Sequence, residues 1–268
     1  PPLLAARLMG IPTLVHEANA VMGRANRFLS GKVSAIATSL PGVLDRDPVL
    51  SGKTTTTGTP MRPAILAAAA VPYVAPEPDG ALRLLVTGGS QGARVMADVV
   101  PYAIEQLPPE LWRRLVLVQQ VRDEDMARVR AVYDRLKLNF ELEPFFSDLP
   151  ARLASSHLVV SRSGAGTVAE LAAIGRPSIL VPLPGAIDQD QYANAGVLAQ
   201  AGGAIRIVQG DFTPARLAQE ISALAAAPER LTAMAEGARG VGRLDAADRL
   251  ADLVIKTAGI SVKSNTFQ

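Results

Sequence analysis

A rhythm constrains this chain more than any single residue does: five short apolar runs each give way to an amphipathic helix. "TLVH" precedes "GRANRFLS", "RLLVTG" precedes a helix expected from Gln91, and "RLVLVQ" precedes "DEDMARVRAVYDRL". "HLVVS" then leads to "TVAELAAIG", and "SILVP" to "QYANAGVLAQAG". Strands that are apolar throughout are buried on both faces, so this alternation predicts open parallel sheets of the α/β class. The 268 residues, 49% of them apolar, suffice for one large core or two smaller ones. The domain change is expected near Arg62. Segment 70–81, with three prolines, reads as a linker or excursion between units, and 209–258 as helical with a glycine-rich break at "GARGVGR".

Composition then removes whole classes of chemistry. With no cysteine there is neither a disulfide nor a thiolate metal site, and His16 and His157 are too few for a multi-histidine centre. A net charge of +2 gives no reason to expect a nucleic-acid partner. No apolar run reaches the roughly 18 to 20 residues of a spanning helix. The opening, "PPLLAARLMG", resembles no signal peptide, and its direct entry into a strand reads as a chain lacking its natural N-terminus.

Five stretches carry candidate chemistry. "VTGGSQGARV", residues 86–95, follows a strand and opens a helix, where free N–H groups suit a phosphate. It is not a dinucleotide fingerprint, because the glycines fall at 88, 89 and 92 and the next strand ends in Gln119 and Gln120 instead of an acid. A tight turn capped by Ser90 is the competing reading. "SRSGAGTVAELAAIG", residues 161–175, is a second such turn: Ser163 or Thr167 can cap it, Gly164 and Gly166 admit an anion, and Arg162 can add charge. Glu170 lies on the face of Thr167, where its carboxylate suits the vicinal hydroxyls of a ribose or merely complements the helix dipole. In "PGAIDQDQYANAG", Gln191 and Asn194 share a helical face and offer amides to sugar hydroxyls. His16 and Glu17 could form an acid/base pair with Asn19 nearby, and Arg62 ends "TGTPMR" at the hinge.

In order and spacing these segments resemble the MurG family, membrane-associated transferases that add N-acetylglucosamine to undecaprenyl-pyrophosphoryl-MurNAc-pentapeptide. The likeness runs from "PPLLAARLMGIPTLVHEANAVMGRANR" through "TGTPMRP", "LLVTGGSQGAR" and "FFSDLPARLASSHLVVSRSGAGTVAELAAIGRPSILVP" to "DQDQYANAGVLAQAGGA". It implies a GT-B fold of two Rossmann-like parallel-sheet domains. Residues 1–62 would be the later part of an acceptor-side N-terminal domain, incomplete in this chain. Residues 63–243 would be the UDP-N-acetylglucosamine domain, and 244–268 a helix returning to the first domain with a frayed tail. The resemblance places the Phe146 backbone at the uracil edge, Glu170 at the ribose, and Ser90 with the Ala165, Gly166 and Thr167 turn at the diphosphate. Gln191, Asn194 and Asn19 would meet the sugar, Arg62 the nucleotide, and Gln91 and Arg162 join the substrate contacts. Thr59 stands where the family has Asn, Ala18 where Gln is common, and Gly185 and Asp190 where Gln or His is frequent; these departures bear on the hexose and acceptor side.

The implied reaction is an inverting displacement by the muramyl 4-hydroxyl at the anomeric carbon, with His16 or Glu17 as base unless an upstream loop supplies it. No cofactor and no metal are expected, because helix termini and Arg62 can absorb the diphosphate charge. The implied setting is peripheral, on the cytoplasmic face of the bacterial inner membrane. The chain as it stands is expected to bind donor without transferring it. Rival readings are another UDP-sugar enzyme, such as a lipid glycosyltransferase or an epimerase, and a UDP-sugar-binding fragment without catalysis.

Overall fold

A computed structural model of the chain describes residues 2–89, 92–185 and 188–260. They form two compact units: residues up to Met61 with those from Arg243 onward, and Arg62–Gly242.

The first unit runs α1 (Pro2–Leu8), β1 (Leu14–Glu17), α2 (Arg24–Ser30), β2 (Ala35–Thr38), α3 (Pro48–Ser51) and β3 (Thr54–Thr56). Its three strands pair in parallel in the order β1-β2-β3. Strand β2 is buried along its whole length, and Val15, Met22, Val33 and Ile36 make a small core.

The second unit alternates strictly. It comprises α4 (Pro63–Ala69), β4 (Leu82–Thr87), α5 (Arg94–Glu105), α6 (Pro109–Arg114), β5 (Leu115–Gln120), α7 (Asp123–Arg135) and β6 (Asn139–Glu143). Then follow α8 (Leu149–Ser155), β7 (Leu158–Ser161), α9 (Ala165–Ile174), β8 (Ser178–Leu180), α10 (Asp190–Gln200), β9 (Ala204–Arg206), α11 (Pro214–Ala225) and α12 (Pro228–Val241). The last helix, α13 (Ala246–Ala258), belongs to the first unit and packs on β2. That return passes Gly58, whose φ is +88° and where a Cβ would stand 2.7 Å from Arg243 Cβ, so only glycine fits.

All six strands of the second unit are parallel, in the order β6-β5-β4-β7-β8-β9. Strand order therefore reverses between β4 and β7, and open α/β sheets bind ligands beyond the strand ends at such a point. Strands β7 and β8 are wholly buried, which explains why they read as unbroken apolar runs.

Three boundaries differ from the sequence reading. Helix α5 starts at Arg94, three residues after Gln91, because the glycine turn is longer than its pattern suggested. Segment 70–81 links no two units: it straps across the second one, where Tyr73 Oη donates to His157 O (3.0 Å) and Arg114 reaches Gly80 O and Glu77 O. Helix α12 continues through Gly237 and Gly240 to Val241; at Gly237 a Cβ would lie 2.3 Å from Ala201 O, so that glycine serves packing, not a break.

Two arginines gather helix ends. Arg176, 1% exposed, donates to Leu153 O and Ala154 O in the last turn of α8, Gly175 O after α9 and Val71 O after α4. Arg239 Nη2 adds bonds to Ala69 O and Ile174 O, at 3.1 Å each, on α4 and α9. Cations at helix C-termini complement the macrodipole, and burial is tolerated because the guanidinium finds acceptors.

Candidate functional site

A cleft of about 970 Å³ opens at the switch point of the six-stranded sheet, within the second unit. The turn after β4, the segment after β6, the loop after β7 and the start of α10 line it.

The glycine turn is folded inward. Gly88 N and Thr87 Oγ1 both donate to Gln120 Oε1 (3.1 and 2.9 Å), Gly89 N donates to Thr87 Oγ1 (3.3 Å) and Gly92 N to Gly89 O (3.1 Å). A Cβ on Gly88 would lie 2.1 Å from Ala93 N, and Gly89 and Gly92 hold positive φ, so three glycines are needed to close so tightly. This corrects the expectation of free amides here: those of Gly88, Gly89 and Gly92 are already satisfied. Ser90 and Gln91, both expected at the substrate, lie outside the described residues.

The start of α9 is the open one. Gly164 occupies the N-cap with no side-chain cap, correcting the expected roles of Ser163 and Thr167. Ser163 Oγ instead donates to Gln191 O (2.8 Å). The first helical bond runs from Val168 N to Gly164 O, which leaves the amides of Ala165, Gly166 and Thr167 without a helical partner. Gly164, Gly166 and Thr167 line the cleft.

One turn on, Glu170 lines the same cleft with its side chain 19% exposed, and Arg62 Nη2 reaches its Oε1 at 3.2 Å. Burial pushes the Glu170 carboxyl above the ordinary carboxylate range, and Arg62 opposes the shift. Arg162 proves a brace and not a free charge. Its buried guanidinium donates to Val181 O and Pro182 O (3.1 Å each) and Gln209 Oε1 (2.6 Å), and burial lowers its pKa. The two amides also serve the loops. Gln191 Oε1 accepts from Ser163 N (3.3 Å) and Leu183 N (3.0 Å), so the carbonyl end of its amide is taken up by the loops. Asn194 is fully buried and donates to Ser163 O (3.2 Å), so it also braces the loop after β7.

At the β6 end, Phe146 is buried with the Arg152 guanidinium 4.3 Å above its ring, while Phe145 is 68% exposed; both line the cleft. Arg152 is itself held by Glu141 and Asp148, which raises its pKa and lowers that of Asp148.

In the first unit, Glu17 is buried and accepts from Asn19 N (2.9 Å), Asn19 Nδ2 (3.3 Å), Gly23 N (3.0 Å) and Asn26 Nδ2 (2.8 Å). Burial alone would raise its pKa, but these bonds outweigh it and hold the carboxyl low. Glu17 is therefore the keystone of the 17–26 loop and unsuited to be the base; Asn19 is drawn into the same loop. His16 Nε2 lies 3.1 Å from Gly58 O and 3.2 Å from Ser39 Oγ. A carbonyl only accepts, so Nε2 carries the proton and Nδ1 is the basic nitrogen.

The sequence reading passed over Gln120, Thr87, Phe145 and Gln209, all cleft-lining. Gln120 had a signal, being the neutral residue at the end of β5 where an acid was sought. Gln209 had none, since only tertiary packing brings it to Arg162.

Residues 83–250 match the sequence profile of the glycosyltransferase family 28 C-terminal domain, and residues 1–38 that of its N-terminal domain. The chain belongs to glycosyltransferase family 28. A relative from Rhodopseudomonas palustris (strain BisA53) is 87% identical over all 268 residues, which cover 72% of its length. Another, from Bradyrhizobium sp. (strain BTAi1), is 81% identical over 97% of this chain and 71% of its own. Both are named UDP-N-acetylglucosamine–N-acetylmuramyl-(pentapeptide) pyrophosphoryl-undecaprenol N-acetylglucosamine transferase. The crystal structure of Acinetobacter baumannii MurG superposes with a TM-score of 0.78 at 32% identity, over 95% of this chain and 70% of that one. A UDP-GlcNAc 2-epimerase from Neisseria meningitidis shares the fold at 14% identity and a TM-score of 0.64 over 95% of this chain and 72% of that one. The architecture is thus the expected GT-B class, with three strands described in the N-terminal sheet and six in the C-terminal one.

Proposed function

We propose that this protein is an inverting N-acetylglucosaminyltransferase that moves N-acetylglucosamine from UDP-N-acetylglucosamine to the muramyl 4-hydroxyl of undecaprenyl-pyrophosphoryl-MurNAc-pentapeptide. The observation that carries the reading is a juxtaposition: the open amides at the start of α9 stand one turn before the cleft-facing carboxylate of Glu170. Amides at a helix N-terminus bind a diphosphate, and a carboxylate at that spacing can bind both hydroxyls of the adjoining ribose. Phe145 and Phe146 offer a surface and backbone for the uracil, and Gln191 Nε2 a donor for the sugar.

In the reaction the 4-hydroxyl oxygen bonds to the anomeric carbon as the bond from that carbon to the diphosphate oxygen breaks. The hydroxyl proton passes to a base, for which His16 Nδ1 is the candidate in this chain. Charge grows on the departing diphosphate, and the α9 amides and Arg62 stabilise it most when it is greatest, which is what lowers a barrier.

Peripheral contact with an anionic membrane surface belongs to the same reading, because the acceptor it names is lipid-linked.

The test is transfer of labelled N-acetylglucosamine to the lipid-linked acceptor, alongside calorimetry with UDP-N-acetylglucosamine and ADP-glucose. Selective binding of the uridine donor is expected of this chain, and incorporation into lipid of a chain extended to the length of its relatives. Failure to bind it, or its epimerisation without incorporation, overturns the proposal.

A further inference from the structure

Gln120 ends β5, the strand that lies between β4 and β6 in the sheet. In a dinucleotide-binding sheet this place holds the acid that grips an adenosine ribose. Here the side chain is an amide, 7% exposed, and it binds the protein on both sides. Its Oε1 takes the Gly88 amide and the Thr87 hydroxyl, and its Nε2 donates to Pro144 O at 3.1 Å. Pro144 leads directly into Phe145 and Phe146. One amide thus ties the turn after β4 to the turn after β6 across the strand between them.

The turn after β4 contains Gly88 and two glycines at positive φ, and the turn after β6 ends in the exposed Phe145. A ligand that spans two subsites gains over its separate fragments only if their spacing is held, because otherwise ordering consumes the gain. We propose that Gln120 is a positioning residue that couples recognition of the nucleobase to recognition of the diphosphate. It does so without touching either, by fixing the distance between the base-binding turn and the glycine turn that floors the phosphate end. The inference rests on the donor reading above. It also assigns the ribose to Glu170 on α9 alone, since the β5 end is already engaged.

The experiment compares UDP, uridine and inorganic pyrophosphate as ligands of the parent protein and of Gln120→Asn, whose shorter side chain cannot span both turns. The variant is expected to bind UDP at least tenfold more weakly, while uridine and pyrophosphate each stay within about threefold of the parent. Unchanged UDP affinity overturns the proposal. So does a parallel fall in all three ligands, which would mean damage to one turn or to the fold. Gln120→Glu answers the question if Gln120→Asn does not fold. It keeps both bonds into Oε1 and loses the donation to Pro144, so UDP affinity relative to the parent at each pH should recover as acid restores that donor; a ratio that ignores pH counts against the coupling. A parent that fails to bind UDP refutes the donor reading itself, whereas a binding parent with an indifferent variant refutes only the role of Gln120.

Discussion

Glu170→Gln removes one charge from the cleft while keeping the shape of the side chain, and its effect can be worked out from the structure. Glu170 gives up a bond to Arg62 when a ribose arrives, but that partner is 67% exposed, so the ion pair is worth at most about 1 kcal/mol. Charge-assisted bonds to two ribose hydroxyls are worth about 1.5 to 3 kcal/mol each before such losses. The gain exceeds the loss, and a net of about 2 kcal/mol corresponds to roughly a thirtyfold weaker affinity for UDP. Calorimetry with UDP and 2′-deoxy-UDP on both proteins forms a double cycle that isolates the hydroxyl contact. The parent should prefer UDP, and Glu170→Gln should lose most of that preference. Equal losses for the two ligands, or an unchanged UDP affinity in a folded variant, would refute the assignment. The pH dependence follows in sign: burial raises the Glu170 pKa, so UDP binding is full above that raised value and falls as acid protonates the carboxylate.

Four further outcomes are expected. His157 is 4% exposed with its pKa lowered to about 4 by burial and by Arg83 and Arg176, against about 6.5 when unfolded. Its contribution of about 3 kcal/mol is therefore present above pH 6.5 and lost as pH falls towards 4, and urea midpoints should follow that course in the parent and flatten in His157→Gln. Gly88→Ala should cost about 1 to 3 kcal/mol in thermal unfolding and weaken UDP binding, since the added Cβ meets backbone at 2.1 Å. Glu17→Ala should destabilise the protein by about 1.5 to 3 kcal/mol, read as a lowered urea midpoint. Chelation with EDTA should change donor affinity by less than about threefold, read by calorimetry.

The fold was legible because its signal is local. Strands buried on both faces must be apolar throughout, and Leu158–Ser161 or Leu82–Thr87 allow few other readings. Among the strands passed over, Asn139–Glu143 alternates at the sheet edge, and Thr54–Thr56 and Ala204–Arg206 are too short to show a period. Site residues divide in the same way. Glu170 and Gly166 could be placed because helix geometry relates them to one N-terminus. Arg162 and Glu17 were read as reaching for ligand because a polar residue near a helix start advertises its chemistry but not its partner. Whether an arginine is free or already bound to Val181 O, Pro182 O and Gln209 depends on contacts 19 to 47 residues away, which no local pattern encodes.

The arginines that collect the ends of α4, α8 and α9 have a consequence at the opposite ends of those helices. There Arg62, the Ser147–Pro150 turn and Gly164 border the cleft, so three of its walls are set by a clasp at their far side. The acceptors in that clasp are carbonyls, which neither gain nor lose protons, and Arg176 remains a cation up to a pKa lowered to about 10. A folded and an unfolded chain then hold the same protons at these groups below about pH 9, and stability gains no slope from them. Acid can protonate Glu170 without unmaking the clasp itself, and it reaches the frame through His157 instead. A protein acidified only to a pH above that at which His157 takes its proton, and then neutralised, should recover its affinity at once, limited by proton transfer and not by refolding of the cleft.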